Sequence, residues 1–218
     1  MNDLLPRINS DLDELAGRVR KSLVMVTVGR RGSGSGVVYS DDGLVVTNAH
    51  VVSNKRHRRE AGDLKVTLPG GQIMAAKVLA EDDGLDVALL KLGSTNGSLP
   101  EVDLPKLQAI QMGDSKALRA GQWVMAMGHP GGVPGVAAAG IVIGAGPDLP
   151  EAQGDGRDWI AVDLALRPGH SGGPLVDHQG RLIGISTIMA GLEVGMAVPA
   201  HVIGNFVEKV LAGETEAS

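Results

Sequence analysis

From Leu23 onward, apolar residues arrive in short β-branched runs, each cut off within a few residues by Gly, Asp or Pro. Such runs, bounded by turn formers, read as strands. The first set is Leu23–Val28, Gly36–Tyr39, Leu44–Asn48, Lys65–Leu68, Ile73–Ala80 and Val87–Leu92. A loose stretch rich in Gly, Ser, Pro and Asn follows, from Gly93 to Gln108. The second set is Trp123–Met127, Gly135–Ile143, Trp159–Leu164, Pro174–Val176, Leu182–Met189 and Glu193–Pro199. No helical pattern separates the strands, which excludes a parallel βαβ array. The expected architecture is all-β, a pair of small β-barrels.

Helices are expected only at the ends. Leu12, Leu15, Ala16 and Val19 fall at helical spacing within Asn9–Lys21, with Ser10 as the expected N-cap and Asp11, Asp13 and Glu14 near the positive end of the dipole. A closing helix from Pro199 to Leu211 turns Val202, Ile203, Phe206, Val207 and Val210 to one side. The expected division is a helical segment at 1–22, a first barrel at 23–108, a second at 109–200, and a helix with a polar tail at 201–218.

Composition narrows the function. Gly accounts for 32 of 218 residues, and the aromatics are only Tyr39, Trp123, Trp159 and Phe206, so turns are many and the core is aliphatic. So few aromatics leave no base-stacking surface for single-stranded nucleic acid, and a net charge of −5 gives no electrostatic pull toward nucleic acid or an acidic membrane. The absence of cysteine excludes disulfides, thiolate metal sites and cysteine nucleophiles. The six histidines show no HExxH and no close acidic pairing, so no metal or other cofactor is expected. The longest charge-free stretch, Gln122 to Pro147, carries seven glycines and three prolines; it reads as strand, turn, strand rather than a membrane span. The N-terminus lacks the basic start and apolar run of a signal peptide. Read literally, the compartment is cytoplasmic; a removed leader would make it extracytoplasmic.

Three segments carry chemistry. In GHSGGPL, Gly169 to Leu175, a serine between glycines has its hydroxyl exposed on a tight turn, and the backbone nitrogens around it are placed to stabilise an oxyanion. In TNAHVV, Thr47 to Val52, His50 sits where a rigid strand ends, a good mount for a general base. In DDGLDVALLKL, Asp86 precedes an apolar strand, where a carboxylate needs donors such as an imidazole N–H. Each alone has a bland reading: a Gly-Pro turn, a surface histidine, a strand-entry turn. Together they give the order His, Asp, Ser on a chain that already reads as two barrels, and that combination belongs to one catalytic architecture.

At these residues the sequence resembles the HtrA/Deg family of trypsin-like serine proteases. The matching stretches are GSGSGVVYSDDGLVVTNAHVV, GLDVALLKL, MGDSKALRAGQWVMAMGHPGG and DLALRPGHSGGPLVDHQGRLIGIST, lying between Gly32 and Pro199. The resemblance implies a chymotrypsin-like double β-barrel, with Ser171 as nucleophile, His50 as general base and Asp86 as its orienter. It implies an oxyanion hole from Gly169, His170 and Ser171, and a place for Ser186 beside the triad and the substrate backbone. It further implies unfolded or misfolded protein substrates, a role in protein quality control and a homotrimer. The aromatics usual at that trimer contact are absent, and Leu4, Leu5 and Ile8 stand in their place. PDZ domains often follow such a protease, yet only a polar tail follows the last helix here, so the expectation is a protease domain without PDZ, either a member that lacks it or an excised protease domain.

Two further expectations concern selectivity and control. Ala165 lies at the expected base of the primary specificity pocket, with Ile185, Ser186, Thr187 and Ile188 along its wall, and no carboxylate waits for Arg or Lys. Burying one aliphatic side chain there is worth ~1.5–3 kcal/mol, enough for a preference for small aliphatic residues. Glu193 is read as solvated. The family usually places Asn where His170 stands; its ring is expected to point outward, the alternative being a pH-sensitive turn. The Gly- and Asp-rich stretch from Gly144 to Asp158 reads as a sensor loop or a plain surface excursion.

Other readings fail or stay secondary. NKRHRRE, Asn54 to Glu60, is a solvated basic loop. GRRGSGSG, Gly29 to Gly36, lacks the Lys-Ser/Thr of a phosphate loop and is followed by a strand. An α/β-hydrolase would need a helix directly after the serine, which Gly172-Gly173-Pro174 prevents. The non-catalytic alternative is a protease-fold binding or chaperone module resting in an inactive oxyanion-loop state.

Overall fold

The computed structural model describes residues 4–29, 32–53, 64–93, 104–150, 156–187 and 194–213. The first barrel comprises β1 (Leu23–Val28), β2 (Gly32–Val38), β3 (Leu44–Thr47), β4 (Leu64–Thr67), β5 (Ile73–Asp82) and β6 (Val87–Leu92). Its strands run in the closed order β1-β2-β3-β6-β5-β4. The second repeats the pattern with β7 (Trp123–Gly128), β8 (Val136–Gly146), β9 (Trp159–Asp163), β10 (Pro174–Val176), β11 (Leu182–Thr187) and β12 (Gly195–Pro199), closed as β10-β11-β12-β9-β8-β7. All pairings are antiparallel. The fold is the double barrel that the run pattern calls for.

The apolar runs lack polar alternation because both faces of several strands are buried. On β2, β3 and β6, Val38, Val45 and Leu90 fill the first barrel, while Val37, Val46 and Leu89 point the other way into a seam between the barrels. On β7, Val124 and Ala126 fill the second barrel while Met125 and Met127 enter the same seam. Two terminal helices close it, α1 (Leu4–Arg20) through Leu15, Ala16 and Val19, and α3 (Ala200–Leu211) through Ile203, Phe206 and Val207. No helix among the described residues is long and apolar enough to cross a membrane.

Four local expectations change. Helix α1 begins at Leu4, so Ser10 lies inside it rather than capping it. Its first turns are exposed, Leu4 at 66% and Leu5 at 72%, and burial periodicity therefore reveals only the later turns. Strand β2 begins at Gly32, because the small Ser and Gly residues pair with β1 from Thr27↔Ser33 to Val24↔Gly36. Beyond β3 the chain enters one helical turn, α2 (Ala49–Val52), instead of a loop. Strand β8 continues to Gly146, which shortens the expected sensor loop. Residues 54–60, Ile188 and Glu193 lie outside the described residues.

Candidate active site

His50 projects from α2 at the end of β3, and Asp86 stands just before β6, the strand that pairs with β3. The ladder Thr47↔Ala88 brings the two together. His50 Nδ1 lies 2.9 Å from Asp86 Oδ1 and 3.0 Å from Oδ2, and the backbone N–H of His50 donates to Oδ1 at 3.1 Å. An ionised carboxylate only accepts, so Nδ1 carries the proton that faces it, and in a neutral ring Nε2 is then a bare lone pair. Asp86 has φ 54°, the one described residue besides glycine in the left-handed region, a conformation that costs about 1 kcal/mol or more. Asn48, fully buried, holds it there: its Nδ2 donates to the Asp86 carbonyl at 2.9 Å.

The serine turn comes from the second barrel. Ser171 is 7% exposed, and its carbonyl accepts from the Ser35 N–H of β2 at 2.8 Å. The next N–H, that of Gly172, donates to Asn48 Oδ1 at 2.7 Å and to the Ser186 carbonyl at 2.9 Å. Asn48 therefore ties the turn to the Asp86 backbone. Gly172 has to be glycine: φ is 82°, and a Cβ there would stand 2.0 Å from the Ser35 carbonyl oxygen.

Around Ser171, the backbone donors divide into used and unused. The N–H of His170 donates to the Arg167 carbonyl at 2.9 Å, and that of Gly173 to the His170 carbonyl at 2.8 Å. Those of Gly169 and Ser171 have no acceptor among the described residues. Ser171 Oγ likewise makes no hydrogen bond there, to His50 or to any other group. Of the three residues expected to form the oxyanion hole, two offer free donors, and His170 does not.

His170 corrects the expectation of an outward ring. It is 0% exposed; Nδ1 lies 3.1 Å from both the N–H and the carbonyl of Arg167, and Nε2 is buried with no partner. Burial, first, and the nearby Arg167 charge push its pKa below the ordinary histidine value.

The pocket-wall residues separate by strand parity. In the β11–β12 ladder, Ile185 pairs with Val198 and Thr187 with Met196, all near the seam, whereas Ser186 pairs with Ala197 of the second barrel's interior. Thr187 therefore reaches the first barrel, and its hydroxyl donates to Asp86 Oδ2 at 2.9 Å. Ser186 lies against the serine turn through its backbone, its carbonyl accepting from the Gly172 N–H at 2.9 Å and its N–H donating to the Gly173 carbonyl at 2.8 Å, while its Oγ is buried with no partner among the described residues. Ile185 is fully buried in the seam core and offers no surface to a substrate side chain. Ala165 is exposed. Asn48 and Ser35 were missed as site residues. For Asn48 a signal existed: an amide placed directly after an apolar strand must find partners once buried. No grouping of acidic or histidine side chains able to hold a metal occurs among the described residues.

His, Asp and Ser in that chain order, divided between two such barrels, are the arrangement of the double-barrel serine peptidases, and this chain has both the order and the barrels. The trypsin-like peptidase domain matches residues 34–185, and the chain belongs to that family. Among curated proteins it is 39% identical over 178 residues to "Serine protease HTRA1A" of Danio rerio, covering 80% of this chain and 34% of that protein. It is 36% identical over 189 residues to "Protease Do-like 1, chloroplastic" of Arabidopsis thaliana, covering 83% and 40%. The chain thus spans well under half the length of these relatives. Among solved structures, "HtrA-type protease AlgW with tripeptide" superposes with TM-score 0.76 at 27% identity, covering 92% of this chain and 64% of that one.

Proposed function

We propose that this chain is a serine endopeptidase working through an acyl-enzyme, with Ser171 as nucleophile, His50 as general base and Asp86 as its orienter. What carries the reading is the conjunction of an imidazole held by a carboxylate with a serine turn whose Gly169 and Ser171 N–H groups have no acceptor among the described residues. Ser171 Oγ attacks the scissile carbonyl carbon while its proton passes to His50 Nε2. The carbonyl oxygen becomes an oxyanion held by the two free N–H groups, worth ~3–4 kcal/mol per donor in comparable sites. Collapse breaks the C–N bond, the imidazolium protonates the departing amine, and water repeats the cycle on the acyl-enzyme. Thr187 and Asn48 keep Asp86 in place throughout.

The proposed substrates are unfolded or misfolded proteins cut after small aliphatic residues, in protein quality control; relatives named as proteases support protein substrates, and the uncharged, exposed Ala165 at the expected pocket base supports the aliphatic preference. A homotrimer is proposed from the resemblance to the HtrA/Deg family, with exposed Leu4, Leu5 and Ile8 as its contact. The open Ser171–His50 pair favours one second reading, a module that rests unassembled and binds unfolded chains without cutting them. Incubation with unfolded β-casein, alongside Ser171→Ala, separates the two. Fragments formed only by unmutated protein, ending in Ala, Val or Leu, support the proposal. Intact casein together with no fluorophosphonate label on Ser171 refutes it.

A further inference from the structure

The Gly- and Ser-rich stretch that opens β2 has no role in the chemistry above, yet Ser35 sits against the oxyanion turn. Its hydroxyl donates to the Gly169 carbonyl at 2.7 Å. The same carbonyl accepts the backbone N–H of His129 at 3.0 Å, and that N–H also lies 3.0 Å from Ser35 Oγ. The third side of the triangle is His129 Nδ1, 3.1 Å from Ser35 Oγ. His129 follows β7 and is buried.

The protons on this triangle can be placed. A carbonyl only accepts, so the single hydroxyl hydrogen of Ser35 goes to Gly169. Ser35 Oγ can then meet His129 Nδ1 only as an acceptor, which fixes the imidazole as the Nδ1–H tautomer with Nε2 bare. Burial supports the neutral ring, holding the His129 pKa down at about 4. Two donors thus fix the Gly169 carbonyl, and the ring holds one of them. Space for this contact exists because residue 128 is glycine: a Cβ there would lie 2.7 Å from His170 Cα, 2.8 Å from the Gly169 carbonyl oxygen and 3.1 Å from Ser35 Oγ.

We propose that Ser35 and His129 are positioning residues for catalysis, locking the Gly169 peptide so that the Gly169 and Ser171 N–H groups converge on the oxyanion. Neither touches substrate; both act through Gly169. The inference rests on the peptidase reading of those two N–H groups, and the experiment separates its failure from that of the reading.

The first measurement needs no activity. In imidazole 15N spectra at pH 7, His129 should show a protonated Nδ1 and a bare Nε2, and the Nδ1–H signal should shift or exchange away in Ser35→Ala. The opposite tautomer, or no change in Ser35→Ala, overturns the proposal even if the protein cuts casein normally. The second measurement is kinetic. Ser35→Ala should lower both kcat and the rate of fluorophosphonate labelling by roughly tenfold to a hundredfold, with KM within about threefold, because fixed oxyanion donors act in the transition state. Ser35→Thr keeps the hydroxyl and His129→Asn keeps a side-chain N–H, so each should recover to within about threefold of the unmutated rate; His129→Leu should not. Unchanged kcat and labelling in Ser35→Ala, or a loss confined to KM, overturns the proposal. So does a loss that tracks the folded fraction measured by circular dichroism. If the unmutated protein takes no label, the peptidase reading fails, and the 15N spectra still decide whether the triangle exists.

Discussion

Asn48 offers a test in which space-filling and hydrogen bonding predict opposite orders. It is fully buried, takes the Gly172 N–H at 2.7 Å and gives an N–H to the Asp86 carbonyl at 2.9 Å. Asn48→Ala deletes both bonds. Gly172 keeps the Ser186 carbonyl as a second acceptor, so no buried donor is orphaned there. The cost is then two ordinary hydrogen bonds and a small void, about 2–3 kcal/mol. Asn48→Asp keeps the shape and the bond from Gly172 but turns a donor into an acceptor facing the Asp86 carbonyl, and buries a charge near the Asp86 carboxylate. That should cost more at pH 7, about 3–5 kcal/mol. Burial disfavours the ionised form and raises the new carboxyl's pKa in the folded state, so its penalty should shrink as pH falls toward its unfolded value of ~3.9. Urea unfolding at pH 7 and pH 5 measures this, in a Ser171→Ala background to prevent self-cleavage. With Ser171 restored, the alanine variant should also lose about tenfold or more in kcat/KM on casein, since Asp86 is released from its left-handed conformation. An aspartate variant as stable as the parent, with the alanine variant worse, would refute the argument: Asn48 would then only fill space.

Two other outcomes follow from distances and burial. Thr187→Val removes the hydroxyl from Asp86 Oδ2 at nearly constant volume; it should slow casein cleavage about tenfold, with Thr187→Ser restoring most of the rate. Equal rates in Val and Ser variants would show that the hydroxyl does not matter. Acidification should destabilise the fold below neutrality. His129 is held at about 4 by burial against ~6.5 in the unfolded chain, so between these values only the unfolded state takes up the proton. Stability is complete above ~6.5 and declines as pH falls toward 4, by ~3 kcal/mol at most from this residue, with His170 adding in the same direction. His129→Asn should flatten urea midpoints measured from pH 7.5 to 4.5, and an unaltered slope would contradict the assignment.

The strands were legible because Gly, Pro and Asp interrupt the apolar runs, and the triad candidates because close backbone approach at the serine leaves a glycine signature. Asn48, Ser35 and Thr187 were not read correctly, since their partners lie far along the chain: Asn48 with Gly172 across 124 residues, Ser35 with Gly169 across 134, Thr187 with Asp86 across 101. No local pattern names such partners, although an amide directly after an apolar strand does signal that Asn48 needs them. Ser186 and Thr187 were both read as pocket wall, but adjacent residues of a strand face opposite ways, so the hydroxyl that reaches Asp86 is that of Thr187 while Ser186 meets the serine turn through its backbone. The outward His170 failed for a related reason. The residue type favours the surface, but the Arg167 turn folds the ring inward.

The seam between the barrels also governs when a chain of this kind becomes dangerous to its maker. The first barrel leaves the ribosome complete in its own ladder by Leu92, yet its faces bearing Val37, Val46, Val87 and Leu89 have no cover until β7 to β12 arrive. At about 5–20 residues per second, the stretch from Leu92 to Leu211 takes on the order of ten seconds to synthesise. For that interval the nascent half is adhesive and chemically inert, holding the imidazole and carboxylate without a serine. Docking of the second barrel buries the sticky face and brings the serine turn to the imidazole, so the event that ends the aggregation hazard also assembles the proposed triad.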